Sequence, residues 1–89
     1  MAVKVRLFGE FRELAGEKEV LVDADRLAEV LEKLVRRYKQ LEGALLEGGK
    51  LKKYVSIFVN NRPSWELQEM ETPLKDGDTV AIFSPVAGG

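Results

Sequence analysis

The stretch Leu27-Ala28-Glu29-Val30-Leu31-Glu32-Lys33-Leu34-Val35-Arg36-Arg37-Tyr38-Lys39-Gln40-Leu41 decides how this chain must fold. Its apolar residues fall at 27, 30, 31, 34, 35, 38 and 41, one continuous stripe on an α-helix. Glu29, Glu32, Lys33, Arg36 and Arg37 take the opposite face. Asp25 stands where an N-cap accepts orphan backbone N–H groups. Gly43 is the expected stop. A helix with a single apolar stripe must bury it against another layer, and the rest of the chain has to supply that layer.

Working outward, the flanks read as strands. Residues 3–8, Val-Lys-Val-Arg-Leu-Phe, alternate apolar and polar, as a half-buried strand does. A helical turn is expected at Glu10 to Ala15, with Phe11 and Leu14 inward and Gly16 ending it. Residues 19–23 then return antiparallel to the first strand. Beyond the helix, residues 44–53 read as a connector, with a turn of helix at Ala44-Leu45-Leu46 before Gly48-Gly49. Residues 54–59 make a third strand, and Asn60-Asn61 suits a tight turn of positive φ. Pro63-Ser64-Trp65 is expected as a short edge strand, Pro73 to Gly77 as a turn, and residues 78–83 as the last strand.

The order ββαββ defines an α+β chain. A β-grasp meets it: a mixed sheet of four to five strands wrapped round one main helix, with the first and last strands parallel at its centre. A ferredoxin-like split fold would need a second full helix, and the Gly- and Lys-bearing connector serves poorly as one. At 89 residues the chain is expected to be one domain, 1–89, with a flexible tail at 84–89.

Alternation sorts the strand residues into two faces. Val3, Val5, Leu7, Val55, Ile57, Val59, Val80 and Ile82 should meet the helix. The other face receives Lys4, Arg6, Phe8, Ser56, Phe58, Asn60, Ala81 and Phe83. In a β-grasp the last strand lies between the first and third, which makes Phe8, Phe58 and Phe83 neighbours on a face nothing in the chain covers. We read them as a partner-binding patch, with partial burial under loops or ordinary scattered apolar surface as the other reading.

Composition removes many chemistries. The chain has no Cys and no His, hence no thiol nucleophile, disulfide, thiolate metal site or imidazole base. Glu17, Glu19, Asp23 and Asp25 are spaced too irregularly for a metal site, so none is expected. A net charge of −1 provides no general field for nucleic acid or an anionic membrane. The opening Met1-Ala2-Val3-Lys4 passes straight into alternation, and no apolar run is long enough to span a bilayer. A cytoplasmic protein without a signal peptide is the expectation. Lys50, Lys52 and Lys53 read as solvated surface, with docking of an acidic partner as the other reading. Trp65 reads as a loop anchor.

The distinctive reactive element is the end, Ser84-Pro85-Val86-Ala87-Gly88-Gly89. Pro85 cannot continue a central ladder and stiffens the exit. The six residues reach about 20 Å when extended. Val86 offers one apolar grip, and Ala87, Gly88 and Gly89 have almost no bulk, so the tail can thread a narrow channel. The Gly89 α-carboxylate is ionised at neutral pH and can attack the α-phosphate of ATP. The chain has no phosphate-binding loop of its own, so no cofactor is expected to bind it, and a separate enzyme must use the ATP.

Asp76 to Gly89, ending Phe83-Ser84-Pro85-Val86-Ala87-Gly88-Gly89, resembles the MoaD family, the small sulfur-carrier subunit of molybdopterin synthase. Leu7-Phe8 with Phe11-Arg12-Glu13-Leu14-Ala15-Gly16 resembles that family's opening, and Val59-Asn60-Asn61 its Val-Asn-Gly turn. Ser84 departs from it, since many members have Pro there. The resemblance implies the ubiquitin-like fold of the MoaD/ThiS superfamily. It implies that a MoeB-like enzyme adenylates Gly89 and that a sulfurtransferase step makes the thiocarboxylate. The tail would then enter a MoaE-like large subunit, in a heterotetramer, and give sulfur to the dithiolene of molybdopterin. The chain would be a non-catalytic subunit. The alternative is a ubiquitin-like modifier joined through Gly89 to lysines of other proteins.

Overall fold

In the computed structural model, which describes residues 2–84, Val3, Val5 and Leu7 are buried and alternate with exposed neighbours along β1 (Ala2–Leu7). Phe8 keeps an extended backbone and leads into α1 (Gly9–Ala15), whose Phe11 is buried. Gly16 ends that helix at φ 77°, a left-handed conformation that costs glycine nothing, and donates its N–H to the Arg12 carbonyl. β2 (Glu19–Asp23) returns antiparallel to β1, with Leu21 opposite Lys4. α2 (Leu27–Arg37) carries the main apolar stripe, and α3 (Gln40–Leu45) follows it. A small hairpin joins β3 (Leu46–Glu47) to β4 (Lys50–Leu51). β5 (Ser56–Val59) turns through Asn60 and Asn61, at φ 49° and 70°, into β6 (Arg62–Pro63). Two short 3-10 turns, Ser64–Glu66 and Glu69–Glu71, lead back toward β7 (Thr79–Phe83).

The strands lie in the order β2-β1-β7-β5-β6. β1 and β7 run parallel near the centre, and the other pairs are antiparallel. This is the expected β-grasp. All eight inward strand residues named above are buried, and they face Leu27, Val30, Leu31 and Leu34 of α2. Each fully buried aliphatic side chain of this kind contributes roughly 1.5–3 kcal/mol.

Several local expectations are corrected. Asp25 is not the N-cap: Arg26 occupies that position, with no side-chain cap bond. Backbone does the work instead, because the segment before β7 runs beside the helix start. The Leu27 N–H donates to the Thr72 carbonyl, and Arg26 bridges Pro73. The Asp25 N–H donates to Glu29 Oε1 at 2.7 Å. That bond, with the charge of Lys33, holds the Glu29 carboxyl below its ordinary range and outweighs the opposing desolvation.

The long helix also does not run unbroken to Leu41. It ends at Tyr38 (φ −122°, ψ 88°), and Gly43 lies inside α3 rather than ending a helix. A straight helix from Leu27 to Leu45 would extend about 28 Å at 1.5 Å per residue. The strands, of six residues at most, span only about 20 Å. The break turns Leu41 and Leu45, both fully buried, back over the core, where α3 packs on α1 and α2. The connector is therefore a helix end and a hairpin, with Gly48 and Gly49 at φ 60° and 80° in its turn. The third strand begins at Ser56 rather than at 54. The edge strand is Arg62–Pro63 rather than 63–65, since Ser64 and Trp65 enter a 3-10 turn. Of the tail expected at 84–89, Ser84 alone is described; Pro85, Val86, Ala87, Gly88 and Gly89 lie outside the described residues.

The free edge of β2 is guarded. Lys33 Nζ donates to the Asp23 carbonyl at 2.6 Å, and Arg37 donates to the Leu21 carbonyl at 3.4 Å. These side chains, one turn apart on α2, occupy acceptors that another strand would otherwise use.

Candidate docking surface

The register of the central strands builds the surface opposite the helix. Arg6 pairs with Ala81, and Ala81 with Phe58, so the three form one row across β1, β7 and β5. Leu7, Ile82 and Ile57 form the next row, pointing into the core. Phe83 pairs with Ser56 and lies beside Phe8. The ring centroids of Phe8 and Phe83 are 6.3 Å apart in an edge-to-face contact, and those of Phe58 and Phe83 are 5.3 Å apart. The three expected phenyl groups therefore do converge. Phe8 remains 40% exposed.

Ala81 gives this surface its shape. Its methyl group leaves a dip between larger neighbours, a shallow cavity of about 430 Å³ lined by Phe8, Phe58, Asn61, Ala81 and Phe83. The Arg6 guanidinium lies 5.6 Å from the Phe8 ring centre, a cation–π contact that sets a positive charge on an apolar rim. Aromatic pairs at these separations contribute about 0.5–1.5 kcal/mol each beyond their buried area.

Trp65 is a further member. It is 56% exposed, so it does not serve as the loop anchor expected of it. Its ring meets Phe58 edge-on at 5.6 Å. No periodicity could have located it, because it sits in a 3-10 turn after the edge strand. Ala81 and Arg6 had a usable signal: both hold outward positions of strands whose inward positions are all aliphatic.

A polar clamp fixes the turn beside the dip. Asn60 Nδ2 donates to Asp78 Oδ1 at 3.0 Å, and the Thr79 N–H donates to Asn60 Oδ1 at 2.9 Å. The buried Asp78 also accepts the Lys75 N–H through Oδ2 at 2.9 Å. The clamp ties the β5–β6 turn to the start of β7, and so sets Asn61 and Phe58 against that strand. At the other end of β7, the Ser84 hydroxyl is buried without a hydrogen-bond partner among the described residues.

Among the described residues no group of three or more acidic, His or Cys side chains could hold a metal. No helix among them is long and apolar enough to cross a membrane.

Fold and surface together define a β-grasp, ubiquitin-like protein that presents an aromatic face. The chain belongs to the ThiS family, whose model matches residues 5–89. It is 41% identical to the small archaeal modifier protein 3 of Haloferax volcanii over 92 aligned residues, covering all of both chains. It is 35% identical to the molybdopterin synthase sulfur carrier subunit of Escherichia coli, covering 98% of this chain and 99% of that one. Among solved structures, the small archaeal modifier protein 1 of Methanosarcina acetivorans superposes with a TM-score of 0.90 at 34% identity, covering 99% of this chain and 96% of that one. Two neighbours were solved with a partner protein. The BexX/CysO complex of Amycolatopsis orientalis matches at TM-score 0.87 and 29% identity, covering 99% and 100%. The complex of subunits 1 and 2 of the molybdopterin-converting factor of Helicobacter pylori matches at 0.65 and 29%, covering 100% of each chain. The resemblance to the MoaD family thus stands within a wider family of small sulfur-carrier, ubiquitin-like proteins that are not themselves catalysts.

Proposed function

We propose that this protein carries sulfur on its Gly89 carboxylate and delivers it for the dithiolene of molybdopterin. Gly89 attacks the α-phosphate of ATP in the site of a MoeB-like enzyme; an acyl–phosphate bond forms and pyrophosphate leaves. A donor at the hydrosulfide level then attacks the acyl carbon, a carbon–sulfur bond forms, and AMP leaves. The product is a thiocarboxylate. The slender tail then carries it into a MoaE-like large subunit, with two copies of each chain in the assembly. The chain itself binds no cofactor, and it works in the cytoplasm as a single domain with a flexible tail.

The observation that carries this reading is the convergence of Phe8, Phe58 and Phe83. They lie on the sheet face opposite the helix, beside the end of the strand from which the tail departs. A partner seated there is placed to receive the tail.

The test is incubation with ATP, the adenylating enzyme and a sulfide donor, followed by intact mass. Replacement of one terminal oxygen by sulfur is the expected result. One extra residue after Gly89 should abolish it, and retained transfer would overturn the reading.

A second reading is supported by the relatives named as modifiers. A lysine amine attacks the same acyl-adenylate, forming an amide with loss of AMP and a proton. Lysine adducts in a lysate, with no sulfur on Gly89 under the conditions above, would select it.

A further inference from the structure

A second concavity lies away from the dip. It is a groove of about 710 Å³ between α2, the β3–β4 hairpin and the 3-10 turns. Its floor is apolar, with Leu31, Val35, Leu51 and Met70 among its residues, and Trp65 forms a wall. Its banks are charged and unequal. Lys50, Lys52 and Lys53 line the hairpin side, while Glu32 of α2 and Glu69 stand elsewhere on the rim. Among the described residues, no ion pair joins any of these lysines to a carboxylate. Lys52 instead lies 5.8 Å from the Tyr54 ring centre. The opposite charges thus do not close on each other, and three cations remain available in a chain whose net charge is −1.

The groove is continuous with the docking surface through one side chain. Trp65 lines it and also meets Phe58, which lines the dip. The Val55 residue in its lining is one position from Ser56, the partner of Phe83 at the end of β7. A protein that grips the phenyl groups can reach round Trp65 into the groove without leaving the surface.

We propose that this groove is a second docking site, for a segment of the enzyme that activates Gly89 bearing carboxylates beside apolar side chains. The apolar residues of that segment lie on the floor, and its carboxylates face Lys50, Lys52 and Lys53. This rests on the reading of Gly89 as an activated carboxylate. Lysines on a rim govern encounter and salt dependence more than the chemical step.

The test measures pyrophosphate release by a MoeB-type adenylating enzyme, with the whole chain as the varied substrate. For a variant combining Lys50→Glu, Lys52→Glu and Lys53→Glu, KM should rise about tenfold or more at low salt, with kcat unchanged. The rise of KM with salt seen for the wild-type chain should flatten. The corresponding Lys→Gln variant should lie between the two, and it guards against misfolding of the hairpin by charge reversal. Trp65→Ala should raise KM at every salt concentration. If wild-type and both lysine variants share one KM within about twofold and one salt slope, this inference is overturned and activation of Gly89 stands. If the wild-type chain releases no pyrophosphate, the reading of Gly89 falls and this inference falls with it.

Discussion

Glu29 shows how one side chain couples charge to the start of a helix. Its carboxylate accepts the Asp25 N–H and lies 3.5 Å from Lys33 Nζ, so its pKa falls below the ordinary glutamate value of 4.5. A group whose folded pKa is depressed adds stability above its unfolded value and loses it as pH falls through the folded value. Glu29→Gln keeps an acceptor for Asp25 but removes the charge. Denaturation midpoints should therefore show the variant less stable than wild type at neutral pH. The gap should narrow below the ordinary glutamate range and close at lower pH; a gap independent of pH would refute the charge argument. Asp78 acts differently, through the groups it pairs. Asp78→Ala leaves the Lys75 N–H and the Asn60 amide without their acceptor, which should cost about 1–3 kcal/mol in equilibrium unfolding.

At the scale of elements, α2 serves two layers. Its apolar stripe covers the sheet, and its Lys33 and Arg37 cover the edge of β2. Exposed Leu21 stands on that same strand. Removing both cations by Lys33→Ala with Arg37→Ala should leave the monomer folded but allow association through β2, read as a concentration-dependent rise in mass by light scattering. A double variant that stays monomeric at high concentration would mean other features block the edge. The α2 stripe was legible because spacing alone reveals a helix face. Its break at Tyr38 was not, because Leu41 continues the same periodicity. The break follows from the length of the sheet that the helix must match.

At the scale of the whole molecule, the sheet separates stability from recognition. One side holds the core and the other the dip. Ile57→Ala, in the core, should cost about 2–5 kcal/mol. Ala81→Leu, two strand positions from the Phe83 ring and facing outward, should change stability by less than about 1 kcal/mol. It should nonetheless slow activation of Gly89 about tenfold by filling the dip. If Ala81→Leu unfolds the protein, or leaves activation untouched, the dip is not where a partner sits.

By itself the sequence determined the main helix, the long strands and their faces. The 3.6-residue stripe of α2, the two-residue alternation of β1, β5 and β7, and the Asn60-Asn61 turn are local patterns imposed by backbone geometry. Together with the Gly88-Gly89 ending they also pointed to the family. Only the tertiary structure decided which outward residues make a surface. Strand register set Ala81 between Arg6 and Phe58, and so made the dip. The fold of the edge carried Trp65 against Phe58 and opened the groove behind it. These relations join residues distant in the chain, and they depend on strand order and register, which no local periodicity encodes.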